Sequence, residues 1–314
     1  MNPNDSATAA QDALDAAYRA AFTADERVRA VLTYGSRPAG LGDAWSDVEY
    51  WVFVAGPPPD QGWSDPADPA VPPRWLRDVG DPGLLVRNEF GAWVAVHAGL
   101  VRVEVHVWPA SDVDVVRGWP ARGAPVRAMV VLDRDGTLAP AVAALPEYPK
   151  VPSTAAEVAA VCGRFANWWV LGRNVAGRGE WERSQDALAH VRRELTWMAR
   201  LAEPKPRSKP GPAGGAEPGS ADATRRWLTP SRLAERDLSP EVVDALAQAS
   251  ARTEPADLGR AYAAAWELGE RLWRTLAATW GFDPPDRLAE WIEAQASATG
   301  AGLTSSRRSR PPGG

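Results

Sequence analysis

Two acids, Asp47 and Glu49, stand one residue apart in the run Ser46-Asp47-Val48-Glu49-Tyr50. Alternate side chains of a β-strand point the same way, so on a strand these carboxylates lie side by side. Such a pair repels itself unless a positive charge stands between its members. A divalent cation does this well, and magnesium combines carboxylate oxygens with substrate phosphates. Ser36 precedes Asp47 by eleven residues, and the pair Gly35-Ser36 ends the β-type run Val28 to Tyr34. A glycine at that point lets backbone amides approach a phosphate closely, and the serine hydroxyl adds a donor. A third acid, Glu104, lies in Val101 to Val107, where valines alternate with Arg102, Glu104 and His106. The valine face belongs to a core, and the charged face must meet solvent or a site. Glu104 is therefore the candidate general base toward an acceptor hydroxyl and a further contact for a metal ion.

Each signal has an ordinary explanation. An Asp-x-Glu on a strand is commonly a solvated face, Gly-Ser after a strand is commonly only a turn, and an alternating strand commonly has one wet side. Their combination in one order raises the chemical reading. His97, His106 and His190 lack the spacing of a zinc site. Cys162 falls on an apolar helical stripe and reads as packing.

The elements that would hold these residues follow from periodicity. Ala10, Leu14, Ala17, Tyr18 and Ala21 recur at helical spacing over 9–22. Strands are predicted over 28–34 and 47–54, and a hairpin over 92–97 and 101–108 turns at His97-Ala98-Gly99-Leu100. A further strand over 129–132 ends at Asp133-Arg134-Asp135-Gly136. Residues 57–83, rich in Pro, Gly and Asp, read as a long loop with one short helix around Trp75. After Pro152 the pattern turns helical. Ser153 is the expected N-cap, and Val158, Val161, Cys162, Phe165 and Trp169 form one stripe. A break at 177–180 precedes a second stripe of Leu188, Val191, Leu195 and Met198. Ser239-Pro240 starts another helix, 255–280 forms a long amphipathic one, and 286–297 a last one. The expected architecture is an α+β domain over 1–150 and a helical domain over 151–300. A flexible stretch is expected at 203–222 and a disordered tail over 301–314.

With 45% hydrophobic residues the 314-residue chain can bury a substantial core. A net charge of −5 argues against a nucleic-acid partner. The single cysteine allows no internal disulfide, and no apolar run reaches membrane-spanning length. The N-terminus lacks the basic and apolar regions of a signal peptide, so a cytoplasmic setting is expected.

Five pieces together resemble lincosamide nucleotidyltransferases of the two-domain antibiotic-adenylylating type, within the polymerase-β-like nucleotidyltransferase superfamily. They are Tyr-Gly-Ser at 34–36, Gly-Asp-Ala-Trp-Ser-Asp-Val-Glu-Tyr at 42–50, Arg-Asn-Glu-Phe-Gly at 87–91, Glu-Val-His at 104–106, and the helical stretch from Phe165 through Asn174 and Arg178-Gly179-Glu180 to Ser184. They span roughly residues 25 to 200. The last piece is the most specific, because nothing generic to nucleotidyl transfer requires it. The resemblance implies a mixed sheet with flanking helices joined to a helical bundle. It implies Mg²⁺ on Asp47 and Glu49, Glu104 as base and metal contact, and ATP or another nucleoside triphosphate as co-substrate. Gly35, Ser36, Arg37 and Arg178 would bind the nucleotide, and Glu89, His106, Asn167 and Asn174 the acceptor. A homodimer acting on a small-molecule antibiotic, a lincosamide, is implied as well. The family's usual loop lysine corresponds here to Ala39, with Arg37 as the substitute cation. Two other readings stand beside this one. The first keeps the chemistry with an aminoglycoside acceptor; the second is a nucleotide-binding regulatory module without catalysis.

Overall fold

Short runs of β-branched residues between turn formers build the first part of the chain. The computed structural model describes residues 3–56, 72–202 and 227–294. The chain divides into two compact units, one ending at Lys150 and the other beginning at Val151. In the first unit the strands are β1 (Val28–Thr33), β2 (Val48–Val54), β3 (Leu84–Arg87), β4 (Trp93–His97), β5 (Val101–Pro109) and β6 (Val130–Asp133). They form a six-stranded sheet in the order β3-β4-β5-β2-β1-β6. All neighbours are antiparallel except β2 and β5, which run parallel. This mixed sheet with separate helical elements makes the chain an α+β protein.

Helices α1 (Pro3–Ala24) and α2 (Arg74–Asp78) cover one face. Tyr18, Phe22, Trp75 and Leu76 pack there against Val31, Tyr50, Val52, Val103 and Val105. Burying one such aromatic stabilises by about 1.5–3 kcal/mol. On the opposite face Ala30, Leu32 and Phe53 pack against Val113 and Val116 of the turns at 110–118, with Met129 of α3 (Val126–Met129) and Leu138 and Val142 of α4 (Leu138–Ala143). On that same face, toward the start of β2, apolar residues give way to Glu49 and Glu104.

The second unit is helical: α5 (Ala155–Ala176), α6 (Trp181–Ala202), α7 (Ala234–Asp237), α8 (Pro240–Gln248), α9 (Pro255–Trp280) and a helix over 286–294. Both predicted stripes are buried: Val158, Val161, Cys162, Phe165 and Trp169 on α5, and Leu188, Val191, Leu195 and Met198 on α6. Burial pushes the Cys162 thiol up to about 12, so it packs as an apolar group. Two glycines let the helices close up. A Cβ on Gly172 would overlap the Tyr262 hydroxyl, and one on Gly269 would overlap the Phe165 ring.

Several elements differ from expectation. Leu14, Tyr18 and Ala21 of α1 face the core as expected, but Gln11 and Phe22 join them while Ala10 and Ala17 are exposed. Large aromatics, not alanines, decide which side of that helix turns inward. β2 begins at Val48, so Asp47 stands one residue ahead of the strand. Thr154, not Ser153, is the N-cap of α5, its hydroxyl accepting from the Glu157 amide at 3.2 Å. The Ser153 amide, one residue ahead of the cap, instead donates to the Glu157 carboxylate at 2.9 Å. β3, α3 and α4 were not expected; each is six residues or fewer and too short to show a period. The loop start at 57–71, the flexible stretch at 203–222, the end of the last helix at 295–297 and the tail at 301–314 lie outside the described residues.

Candidate active site

The parallel pairing of β2 with β5 places Glu49 directly opposite Glu104. Paired residues on neighbouring strands share a face, with backbones about 4.8 Å apart, so the two carboxylates are neighbours. Neighbours on its own strand supply its surroundings. Arg102, two residues earlier on the same face, ion-pairs with Glu104 and donates from Nη1 to Asp47 Oδ2 at 2.6 Å. His106, two residues later, lies with Nε2 3.3 Å from Glu104 Oε1. Glu104 is 13% exposed and Asp47 39% exposed, so the acids grade from half-buried to open. Burial would lower the Arg102 guanidinium, but hydrogen bonds to Glu104 and Asp47 outweigh it and hold the charge firmly. Burial pushes the His106 imidazole below its ordinary value, against the pull of Glu104.

The Gly35-Ser36 turn is built against this row. Gly35 has φ +83°, and a Cβ there would collide with the Glu49 carboxylate. The Thr33 hydroxyl donates to the Glu49 carbonyl at 3.0 Å, tying the end of β1 to the acid-bearing strand. Ser36 is buried, and its carbonyl accepts from the Leu41 amide at 2.9 Å, closing the loop that follows.

The loop ahead of Asp47 is fixed from α1. The Gln11 amide, 2% exposed, donates to the carbonyls of Ala44 and Ser46 at 2.9 and 3.0 Å. Asp43 accepts from the Trp45 amide at 3.0 Å and from the Ser46 hydroxyl at 2.9 Å. Beyond His106 the face becomes aromatic. Trp51 lies 4.8 Å from the His106 ring and 4.9 Å from Trp119, and Tyr34 lies 5.5 Å from Trp119. Burial, then the charges of Glu49 and Glu104, push the Tyr34 hydroxyl above its ordinary value and keep it protonated.

Sequence reasoning placed Asp47, Glu49, Glu104, Gly35, Ser36 and His106 in the first unit, and the structure gathers them at one end of the sheet. Arg37 points elsewhere, paired with Asp12 and Gln11 of α1. Glu89 is exposed in the β3–β4 turn that Asn88 organises. Asn167 is exposed on α5. Asn174 and Arg178 line a cleft of about 560 Å³ within the helical unit, with Arg173, Trp181 and Tyr262. Arg102 and Gln11 were missed as functional residues. Both carried a signal: Arg102 shares the charged face of β5, and Gln11 interrupts an apolar stripe, three residues before Leu14 and seven before Tyr18.

The donor set suits a hard cation, since all three acids offer carboxylate oxygen on one face. Among the described residues no group of three or more His, Cys, Asp or Glu side chains is gathered to hold a metal ion. Asp47 and Glu104 gather around the Arg102 guanidinium instead. Two of the three carboxylates expected from the sequence to hold a metal, Asp47 and Glu104, are thus tied by an arginine.

No protein-family model and no curated protein matches the chain. Among solved structures, an aminoglycoside 6-adenyltransferase from Bacillus subtilis aligns over 88% of this chain and 95% of its own, at 14% identity and a TM-score of 0.38. A nucleotidyltransferase-like protein from Exiguobacterium sibiricum aligns over 84% and 77%, at 15% identity and a TM-score of 0.32. Likeness at these scores decides neither family nor reaction, so function has to rest on the site. Among the described residues, no helix is long and apolar enough to cross a membrane.

Proposed function

We propose that this chain is a nucleotidyltransferase that moves AMP from ATP onto a hydroxyl of a small-molecule antibiotic, a lincosamide, in the cytoplasm. The observation that carries the reading is the in-register pair Glu49–Glu104 on parallel strands, joined to Asp47 through Arg102 and closed on one side by the Gly35 turn. Three acids crowded beside a glycine turn suit a reaction at a phosphate, where positioning and charge screening do most of the work. Asp47, Glu49 and Glu104 would hold Mg²⁺, which when bound screens the phosphate charge and the leaving pyrophosphate. The amides of the Gly35-Ser36 turn meet the triphosphate. Glu104 takes the proton of the acceptor hydroxyl as that oxygen forms its bond to the α-phosphorus. The bond from the α-phosphorus to the bridging oxygen breaks, and pyrophosphate departs. His106, beside Glu104, orients it, and Glu89 of the β3–β4 turn contacts the acceptor.

A lincosamide carries one amine and a sugar and tolerates an apolar, tryptophan-lined surface. The Tyr34–Trp51–Trp119 cluster next to His106 supplies such a surface. The sequence resemblance supports the same acceptor and a homodimer.

The test is pyrophosphate release by the purified protein with Mg²⁺ and ATP, against lincomycin, clindamycin, streptomycin and kanamycin in turn. Release with a lincosamide, reduced at least about a hundredfold in Asp47→Asn, is the expected result. Release with streptomycin or kanamycin alone would move the acceptor to the aminoglycosides. Equal release by wild type and Asp47→Asn would overturn the site.

A further inference from the structure

We propose that Arg102 is a built-in competitor of the divalent cation. Its guanidinium holds Asp47 and Glu104, and loading of the site requires it to be displaced. The inference rests on the reading of Asp47, Glu49 and Glu104 as the metal carboxylates.

Three observations support it. Arg102 contacts both acids at once, donating to Asp47 at 2.6 Å and ion-pairing with Glu104, so one fork satisfies two carboxylates from neighbouring strands. Charge-assisted bonds of this kind are about twice as strong as neutral ones, so a cation entering there must replace them. The guanidinium is also anchored where it must compete, two residues from Glu104 on the same face of β5. Finally, the side chain is 34% exposed, so it can swing into water once its partners are taken, without leaving a buried charge unpaired. A single delocalised positive charge keeps mutually repelling acids together until a divalent ion replaces it. A compact divalent ion outcompetes it because hard carboxylate oxygens favour the more concentrated charge.

The test is Mn²⁺ binding without nucleotide, read from the loss of the free-ion electron paramagnetic resonance signal. Wild type, Arg102→Gln, Arg102→Lys and Glu49→Gln are compared, with circular dichroism confirming that each is folded. The expected result is a Kd about ten- to a hundredfold lower in Arg102→Gln than in wild type. Arg102→Lys, whose compact ammonium cannot bridge both acids, should lie between them. Glu49→Gln should weaken binding strongly. Equal Kd values for wild type and both Arg102 variants, with binding still lost in Glu49→Gln, would overturn the proposal and leave the metal site standing. No Mn²⁺ binding by any of the four would overturn both.

Discussion

Gly35 adopts a left-handed backbone that glycine alone takes without cost, and the carboxylate of Glu49 fills the space where a side chain would start. Alanine there adds about 1–2 kcal/mol of backbone strain and pushes Glu49 off its place beside Glu104. Gly35→Ala should therefore lower kcat/KM for pyrophosphate release by about a hundredfold, with a much smaller effect on the melting temperature. Undiminished kcat/KM would show that the position of Glu49 does not depend on this turn. The acids themselves were legible in the sequence because strand alternation is visible in Val101 to Val107 and around Val48. The pairing of Arg102 with Asp47 was not, because it requires β5 to lie beside β2, and no local pattern encodes which strands become neighbours.

At the scale of elements, the helical unit was easier to read than the sheet. Stripes of 22-residue helices repeat several times, whereas β3 has only Leu84 to Arg87 in which to show its alternation. α1 shows how a stripe can be partly misassigned: Leu14, Tyr18 and Ala21 face the core as expected, but Gln11 and Phe22 complete that face in place of Ala10 and Ala17. The glycines of α5 and α9 provide a paired test of packing against propensity. Gly163 has open space around it, so Gly163→Ala should stabilise by about 0.5–1 kcal/mol through helix propensity. Gly269 faces the Phe165 ring, so Gly269→Ala should destabilise by about 1–3 kcal/mol despite the same gain. Chemical denaturation followed by circular dichroism measures both. Equal signs would mean that α5 and α9 can separate to admit a methyl group at little cost.

The molecule as a whole has a separate core in each unit. Tyr18, Phe22 and the sheet valines form one, and Phe165, Leu195, Tyr262 and Leu272 belong to the other. A chain beginning at Val151 should consequently give a helical spectrum and a cooperative melt on its own; a non-cooperative melt would mean that the helical core needs the first unit. The change of texture near Pro152, where valine alternation stops and helical stripes begin, falls beside the division at Lys150 and Val151. The parallel register of β2 and β5 also bears on how such a protein can change over time. Losing or gaining one residue inside either strand would turn its acid to the opposite face and end the chemistry in a single event. Lengthening the segment that joins β2 to β3 leaves the register untouched. Descendants of this chain can thus vary in length between Ala55 and the start of α2 at Arg74, whose Trp75 and Leu76 stay fixed in the core, while the spacing from Ser46 to Val54 stays frozen.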